Sequence, residues 1–134
     1  MQFKHHFRAR RPADRSVLVQ PMLITPGHGS YPAGHATQCF FASYVIAKLV
    51  GSYTNGVSTT SGPTPNDLPN QLDALAARIA HNRVVAGLHY LQDNDAGKGL
   101  GQDLGKYFID RASAKDSAIA WLWDRAAKEW VLPP

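Results

Sequence analysis

The sequence predicts an all-α protein, a helical bundle of about five helices. Apolar residues recur at i, i+3, i+4 and i+7 in several stretches, as they do along the buried face of a helix. No stretch of any length alternates apolar and polar residues in the manner of a half-buried strand. Proline- and glycine-rich stretches separate the helical ones. A chain of 134 residues is long enough for a single domain with a hydrophobic core, here residues 1–134.

The first predicted helix covers residues 3–11 and ends at Pro12, because the residue before a proline is disfavoured in the helical region. Lys4 and Arg11 are seven residues apart, close to two turns, so we expect both on one face of this helix. Residues 12–34 are predicted to be loop, since recurring prolines prevent long regular structure there.

The second predicted helix runs from about residue 34 to residue 53. Its inward stripe is Phe40, Phe41, Tyr44, Val45 and Leu49. The turn that leads into it contains Pro32, which stiffens the chain, and Gly34, which leaves backbone N–H groups accessible. The first turn of a helix offers unpaired N–H donors that suit an anion, and His35 can transfer a proton there near neutral pH. A glycine- and proline-rich loop with an incidental histidine is the alternative.

Three further helices are predicted after a polar loop at residues 54–69, which could also form a lid. The first covers residues 70–86, with a break at Gly87, and the next covers 92–111. Glycines at every fourth position of the latter would let another helix approach closely; they are Gly97, Gly101 and Gly105. The last helix begins with Ser113 as N-cap and Asp116 three residues on. Its apolar face is Ile119, Leu122, Trp123, Ala126 and Trp130, and Trp121 lies off that face.

Composition excludes some classes of protein and leaves the compartment unknown. No apolar run is long enough to span a membrane, and no signal peptide is expected because the first residues lack an apolar segment, so a soluble protein is expected. The single Cys39 excludes an internal disulfide and is expected to be a buried thiol. The net charge of +4 is concentrated in a basic N-terminal stretch, but aromatic residues are not interleaved there as in nucleic-acid binders. We therefore expect no nucleic-acid partner; some of these cations could instead converge on a small anion.

A third polar cluster combines Arg83, His89 and Asp93. If His89 and Asp93 lie on one helix, their i, i+4 spacing lets the carboxylate accept the imidazole N–H and leaves the other ring nitrogen free. An unbroken helix would point Arg83 and His89 about 120° apart, whereas a break at Gly87 would let both face one site. A salt-bridged surface helix is the alternative.

Taken together, the three clusters resemble the three-part signature of the type 2 phosphatidic acid phosphatase superfamily, which includes bacterial acid phosphatases and vanadium-dependent haloperoxidases. The matching residues, in order, are Lys4-x6-Arg11-Pro12, then Pro32-Ala33-Gly34-His35, then Asn82-Arg83-x5-His89-x3-Asp93. The resemblance implies a helical bundle in which the three motifs surround a tetrahedral oxyanion. It further implies that Lys4, Arg11, Arg83 and the Gly34 N–H bind the anion oxygens. His89 would be the phosphoryl nucleophile or the vanadium ligand, Asp93 would orient it, and His35 would be the acid–base.

Two positions depart from the family pattern. The usual serine of the second motif is Ala33, which removes one hydrogen bond to the anion, and the usual serine before the arginine is Asn82. A histidine seven residues before the acid–base histidine is similar to algal bromoperoxidases, where it lies beside the vanadate; here it is His28. The resemblance is therefore strongest to the haloperoxidase branch. The chain also begins almost at the first motif, so it is either a fragment or a compact form that completes its core as a homo-oligomer, as the glycine face and Trp121 suggest.

The resemblance implies an enzyme that binds vanadate, activates hydrogen peroxide and oxidises halide. A second hypothesis is a phosphomonoesterase that forms a phospho-His89 intermediate, and a third is a degenerate, non-catalytic oxyanion-binding fragment. The expected cofactor is vanadate, with phosphate as the substrate or ligand in the second hypothesis; no divalent metal is expected. The expected partners are small molecules: the oxyanion, with peroxide and halide or with a phosphomonoester.

Overall fold

The computed structural model describes residues 2–51, 67–114 and 117–129, and every regular element in these ranges is an α-helix. The helices are α1 (Gln2–Phe7), α2 (Pro12–Arg15), α3 (Gly34–Gly51), α4 (Asp67–Val85), α5 (Leu91–Ala112) and α6 (Ala118–Glu129). The prediction of an all-α helical bundle is confirmed. None of the helices in the described part of the chain is long and apolar enough to cross a membrane.

Helix α3 is the centre of the bundle and packs along both α4 and α5, while α6 contacts α5 and α3. The core is made mostly of small residues: Ala33, Ala36, Phe40, Ala76 and Ala80. Small side chains let helix axes come close, so the backbone of one helix lies against the side chains of the next. Cys39 packs at the edge of this core and is only partly buried, although burial raises the pKa of its thiol.

The glycine face of α5 is the surface that α3 packs against. A Cβ atom built on Gly97 would lie 2.6 Å from the carbonyl oxygen of Ala33, and one on Gly105 would lie 2.8 Å from Cδ1 of Tyr44. At Gly101 the Cβ would overlap the carbonyl oxygen of Thr37. The predicted packing groove is therefore occupied within the chain. Trp121 is 64% exposed, and the homo-oligomer stays a prediction.

The first predicted helix, residues 3–11, is wrong as drawn. Helix α1 ends at Phe7, because Arg8 adopts a left-handed backbone conformation with φ of 47°. Pro12 starts α2 rather than ending a helix, since a proline at the first helical position needs no N–H partner and has a suitable φ. Lys4 and Arg11 therefore lie on different elements instead of on one helical face.

The other helix boundaries also differ from the predicted ones. Helix α4 begins at Asp67, inside the predicted loop 54–69, because a proline in the first turn, here Pro69, leaves no hydrogen bond unmade. Helix α5 continues to Ala112, so Ser113 lies at its C-terminus and is not the N-cap of the last helix. That cap is Ser117, whose hydroxyl oxygen accepts the N–H of Ala120 at 3.0 Å. Most of the predicted loop, and Asp116 and Trp130, lie outside the described residues.

Candidate active site

A cavity of about 430 Å³ lies where α1, the loop before α3, the first turn of α3 and the connection from α4 to α5 meet. Its wall is formed by Phe3, Lys4, Arg11, Pro26, His28, Pro32, Gly34, His35, Thr37, Gln38, Arg83, His89 and Leu100. The wall brings together residues from all three sequence motifs. Of the predicted site residues, Ala33, Asn82 and Asp93 lie outside it.

His89 lies in the connection between α4 and α5, directly before the N-cap residue Tyr90. The predicted break is present: α4 ends at Val85, and Gly87 has a φ of +74°, a conformation that glycine adopts without strain. This turn brings Arg83, on the last turn of α4, and His89 to the same cavity. His89 and Asp93 do not share a helix, contrary to the simplest form of the prediction.

The His89–Asp93 contact forms nevertheless, through the start of α5. Nδ1 of His89 is 3.2 Å from Oδ2 of Asp93, and the same oxygen accepts the backbone N–H of Tyr90 at 3.0 Å. Asp93 is the third residue of α5, where a carboxylate commonly bonds back to the N-cap N–H. With Nδ1 directed at Asp93, Nε2 is the remaining ring nitrogen of a side chain that lines the cavity.

Asp93 is buried behind His89, with 3% of its surface exposed. Burial acts to raise the pKa of Asp93, but hydrogen bonds from His89, from the Tyr90 N–H and from Ser30 outweigh it, so the pKa lies below its ordinary value. Asp93 is therefore a carboxylate at neutral pH. An ionised carboxylate favours the His89 tautomer with its proton on Nδ1.

Arg11 is almost completely buried, with 2% of its surface exposed, and it bonds mainly to backbone carbonyls. Its Nε donates to the carbonyl of His28 at 3.1 Å and its Nη1 to the carbonyl of Leu88 at 2.8 Å. Its Nη2 lies 3.3 Å from Nδ1 of His28 and 3.4 Å from the carbonyl oxygen of Gly29. Arg11 thus connects the loop before α3 to the connection that carries His89.

Lys4 reaches the same loop from α1. Its Nζ donates to the carbonyls of Gly29 at 3.1 Å, Ser30 at 3.0 Å and Pro32 at 2.7 Å. Burial lowers the pKa of Lys4, and the nearby Arg11 lowers it further, while Asp93 opposes them. Lys4 and Arg11 both line the cavity, so their positive charges act on a group bound there. Their N–H groups donate to backbone carbonyls.

Arg83 differs from the other two cations. Its Nε is buried and has no hydrogen-bond partner among the described residues. An unpaired buried donor is costly, and a donor of a guanidinium group is well suited to an anionic oxygen. Arg83 therefore lines the cavity and carries a buried N–H group that the described residues leave unpaired.

His35 occupies the first turn of α3 and remains open to solvent. Partial burial lowers the pKa of His35, and the positive charge of Arg83, then that of His89 and Lys4, lower it further. A lowered pKa keeps the imidazole neutral at neutral pH, so it can accept a proton. His35 and His89 are close enough in the wall for the charge of His89 to lower the pKa of His35.

The three remaining predicted residues have different surroundings. His28 lines the cavity and is oriented by Arg11. Ala33 is completely buried, and its backbone N–H donates to the carbonyl of Asp93 at 2.9 Å. Asn82 is exposed on α4, away from the cavity. Ala33 therefore supports the backbone that carries Asp93.

Several wall residues were not predicted from the sequence. Gln38 could have been found, because it lies three residues after His35 and so shares its face of the helix. Thr37 could not, since its hydroxyl donates to the Ala33 carbonyl at 3.0 Å, a local bond that threonine commonly makes within a helix. Phe3, Pro26 and Leu100 carry no chemical signal that singles them out.

The charges around the cavity favour an anion. The wall contains three cations, which are Lys4, Arg11 and Arg83. The carboxylate of Asp93, which lies behind His89, offsets only part of their positive charge. A positive cavity with an unpaired guanidinium donor and two imidazoles can bind an oxyanion and transfer protons to or from groups beside it.

The sequence of this chain matches a known family of proteins. The family model described as the VCPO second helical-bundle domain matches residues 11–116. The chain is also similar to a vanadium-dependent bromoperoxidase of Ascophyllum nodosum, with 27% identity over 113 residues that cover 72% of this chain. The match covers 20% of the bromoperoxidase, so the chain corresponds to about a fifth of that protein's length.

Proposed function

Because this chain belongs to the family of the VCPO second helical-bundle domain, a haloperoxidase-like family, we propose that its cavity binds vanadate and supports halide oxidation by peroxide. The family predicted from the three motifs is confirmed by that match. The activity and the site roles are our proposal.

The observation that carries the proposal is that Arg83 lines the cavity with two further cations and that its buried Nε has no partner among the described residues. A tetrahedral oxyanion fits this donor set, because it supplies the acceptor oxygens that Arg83 lacks and the negative charge that offsets the three cations. His89 contributes a ring nitrogen on the cavity side, and Gly34 contributes its backbone N–H at the start of α3. The donor set fits phosphate as well as vanadate.

In the proposed reaction each residue has a separate task. Asp93 fixes the proton of His89 on Nδ1, so Nε2 would be the atom that holds the vanadate, and Arg83 would donate to an oxygen of the anion. His35, neutral at neutral pH, accepts a proton from hydrogen peroxide. Bound vanadate would supply the Lewis acidity that makes peroxide able to oxidise a halide to hypohalous acid. Lys4 and Arg11 keep the site positive.

The test is halide oxidation by the protein loaded with vanadate. We expect bromination of an organic dye that requires vanadate and hydrogen peroxide together and is suppressed by phosphate, which competes for the same donors. His89→Ala should abolish this activity. If His89→Ala leaves the activity unchanged, the proposed site is wrong.

A phosphomonoesterase is the second candidate, and the His89–Asp93 pair favours it. A buried carboxylate that holds Nδ1–H leaves Nε2 as a nucleophile for phosphorus, with His35 in place to protonate the leaving group after it has gained a proton. Hydrolysis of an aryl phosphate that vanadate inhibits, without any halide oxidation, would select this candidate. Tight binding of phosphate and vanadate with neither activity would instead indicate a non-catalytic oxyanion-binding domain, the third hypothesis.

A further inference from the structure

A second cavity, of about 590 Å³, opens behind the His89–Asp93 pair. His89 lines the cavity of the candidate active site, whereas Asp93 lines the second cavity, and the described residues of the two walls do not overlap. We call the second cavity the rear groove; its wall is Phe7, Ala9, Arg10, Arg15, Ser30, Tyr31, Tyr90 and Asp93. The proposed reaction uses neither the two arginines of this wall nor its three aromatic side chains.

The most buried part of the rear groove consists of Ser30 and Asp93, whose polar groups are already bonded. Ser30 has no exposed surface, and its hydroxyl donates to the backbone carbonyl of Arg10 at 3.3 Å. Oδ2 of Asp93 accepts the N–H of Tyr90 at 3.0 Å and lies 3.2 Å from Nδ1 of His89. The side chains that remain able to bind a ligand are therefore the more exposed ones around these two residues.

Two arginines line the rear groove from the two ends of α2. Arg10 directly precedes the N-cap residue Arg11, and Arg15 is the last residue of the helix. Both residues are exposed, and neither side chain forms a salt bridge, a hydrogen bond or a cation–π contact within the described ranges. A guanidinium group presents paired N–H donors in one plane, which match the two oxygens of a carboxylate.

Three aromatic side chains stand beside these arginines. The rings of Phe7 and Tyr31 meet edge to face, with centroids 5.0 Å apart and planes at 83°. Phe7 is 52% exposed, and Tyr90, the N-cap residue of α5, is 36% exposed. Aromatic rings of this kind favour a flat apolar partner, which can stack on them or pack against their edges. The groove therefore offers a surface for an aromatic ring next to donors for a negative charge.

The volume of the rear groove lies within the usual range of small-molecule sites, about 300–1,000 Å³. Two arginines and the carboxylate of Asp93 give its wall a net charge of +1, which suits a ligand with one negative charge better than a doubly charged one. We propose that the rear groove binds a small aromatic carboxylate, with its carboxylate on Arg10 and Arg15 and its ring against the aromatic side chains. This site is separate from the oxyanion cavity and does not depend on the proposed function.

The first test is a titration with benzoate, followed by the chemical shifts of backbone amides. Arg10→Met and Arg15→Met should each weaken benzoate binding by about tenfold, because each removes one charged donor. Arg78→Met is the matched control, since it replaces an exposed arginine of α4 that lies in neither wall, and it should leave the affinity unchanged. Unchanged affinity in Arg10→Met and Arg15→Met would overturn the inference.

Two further probes test the chemical class of the ligand. Cyclohexanecarboxylate keeps the charge of benzoate and lacks the aromatic ring, whereas benzyl alcohol keeps the ring and lacks the charge. Both should bind about tenfold more weakly than benzoate, since each makes only one of the two kinds of contact. Equal affinity for benzoate and either probe would show that the groove does not select aromatic carboxylates.

A competition experiment separates the rear groove from the oxyanion cavity. Inorganic phosphate at constant ionic strength should leave the affinity for benzoate unchanged, because it occupies the other cavity. Displacement of benzoate by phosphate would place benzoate among the cations of that cavity and would overturn the inference. If phosphate and vanadate do not bind at all, the proposed function fails, and the arginine variants still decide whether the rear groove is a site.

A measurement on the wild-type protein covers the case in which an arginine variant does not fold. Nuclear Overhauser effects should connect the protons of benzoate with the ring protons of Tyr31 and Tyr90. Such effects to Phe3 and Leu100, which line the other cavity, would overturn the inference. Absence of any benzoate binding up to about 10 mM would overturn it as well.

Discussion

Nδ1 of His89 lies 3.2 Å from Oδ2 of Asp93, and each side chain is 4% exposed. The pair is held by the backbone, because the same oxygen accepts the N–H of Tyr90, the N-cap residue of α5. The orientation of the imidazole thus depends on where α5 begins. His89 lies just before α5 and Asp93 lies in its first turn, so the two pair although they do not share a helix.

The first prediction concerns this pair. Asp93→Asn should lower the turnover number of whichever activity the protein shows by about 10- to 100-fold, since the amide no longer favours the Nδ1–H tautomer of His89. Nitrogen chemical shifts of the His89 ring should show a larger fraction of the Nε2–H form. The shifts separate loss of the tautomer from general damage to the fold.

Asp103→Asn is the matched control for this substitution. Asp103 is on the same helix, exposed, and paired at the surface with Lys106 at 3.0 Å. It should leave turnover and the His89 ring shifts as in the wild type. A normal His89 tautomer and normal turnover in Asp93→Asn would show that Asp93 has only a capping role.

The second prediction concerns pH. The pKa of His35 lies below its ordinary value of 6.5, chiefly through partial burial and then through Arg83, His89 and Lys4. A bound anion opposes these cations and raises that pKa, so binding takes up a proton. Affinity for sulfate, whose charge is constant over this range, should therefore increase as pH falls from about 7.5 to about 5. Calorimetric titrations at several pH values measure this.

His35→Gln should flatten this dependence. His81→Gln, which replaces an exposed histidine of α4, should keep the wild-type slope. The sign for folding is opposite: His35 binds its proton more weakly in the folded state, so its contribution makes the fold less stable as pH falls below 6.5. Affinity that is independent of pH in the wild type would contradict the assignment of His35 as a group facing the anion.

The sequence predicts this fold well where a pattern has one physical cause. The apolar stripe that includes Phe40 and Leu49 faces the core, and the break at Gly87 is found where glycine precedes a polar cluster. The glycines of α5 indicate close packing because few other causes produce a four-residue repeat. The three sequence motifs also predict one shared site. Lys4, Arg11, His35, Arg83 and His89 all line the same cavity.

The wrong predictions have a common origin in residues with two possible roles. Pro12 can end one helix or begin another. It begins α2, because the left-handed backbone of Arg8 ends α1 earlier, and no sequence rule singles out Arg8. Ser113 and Ser117 can both cap a helix, and the length of α5 decides between them. Hydrogen bonds from Lys4 to backbone carbonyls are also invisible in sequence, because carbonyls are present at every position.

The third prediction tests the cap of the last helix. Ser117→Ala should reduce the free energy of unfolding by about 1 kcal/mol, because it removes the acceptor for the Ala120 N–H at the start of α6. Ser113→Ala should change it by less than about 0.5 kcal/mol, since this exposed hydroxyl donates only to the carbonyl of Ile109. Urea denaturation of the two variants measures both values. The opposite order would restore Ser113 as the cap.

The fourth prediction tests the packing of α3 on α5. A Cβ atom at Gly101 would overlap the carbonyl oxygen of Thr37 and lie 3.0 Å from the backbone nitrogen of Phe41, so α5 must move away from α3. Gly101→Ala should lower the free energy of unfolding by about 1–3 kcal/mol, despite the better helix propensity of alanine. Because Thr37 lies in the cavity wall, phosphate affinity should fall as well.

Gly99→Ala supplies the matched comparison for this substitution, two residues away on the same helix. Nothing lies within 4 Å of a Cβ atom there, so the change gains helix propensity without any clash. It should raise the free energy of unfolding by about 0.5–1 kcal/mol and leave phosphate affinity unchanged. If both variants are stabilised in urea denaturation, α3 and α5 are not in the contact described, and the cavity wall that depends on that contact is wrong with it.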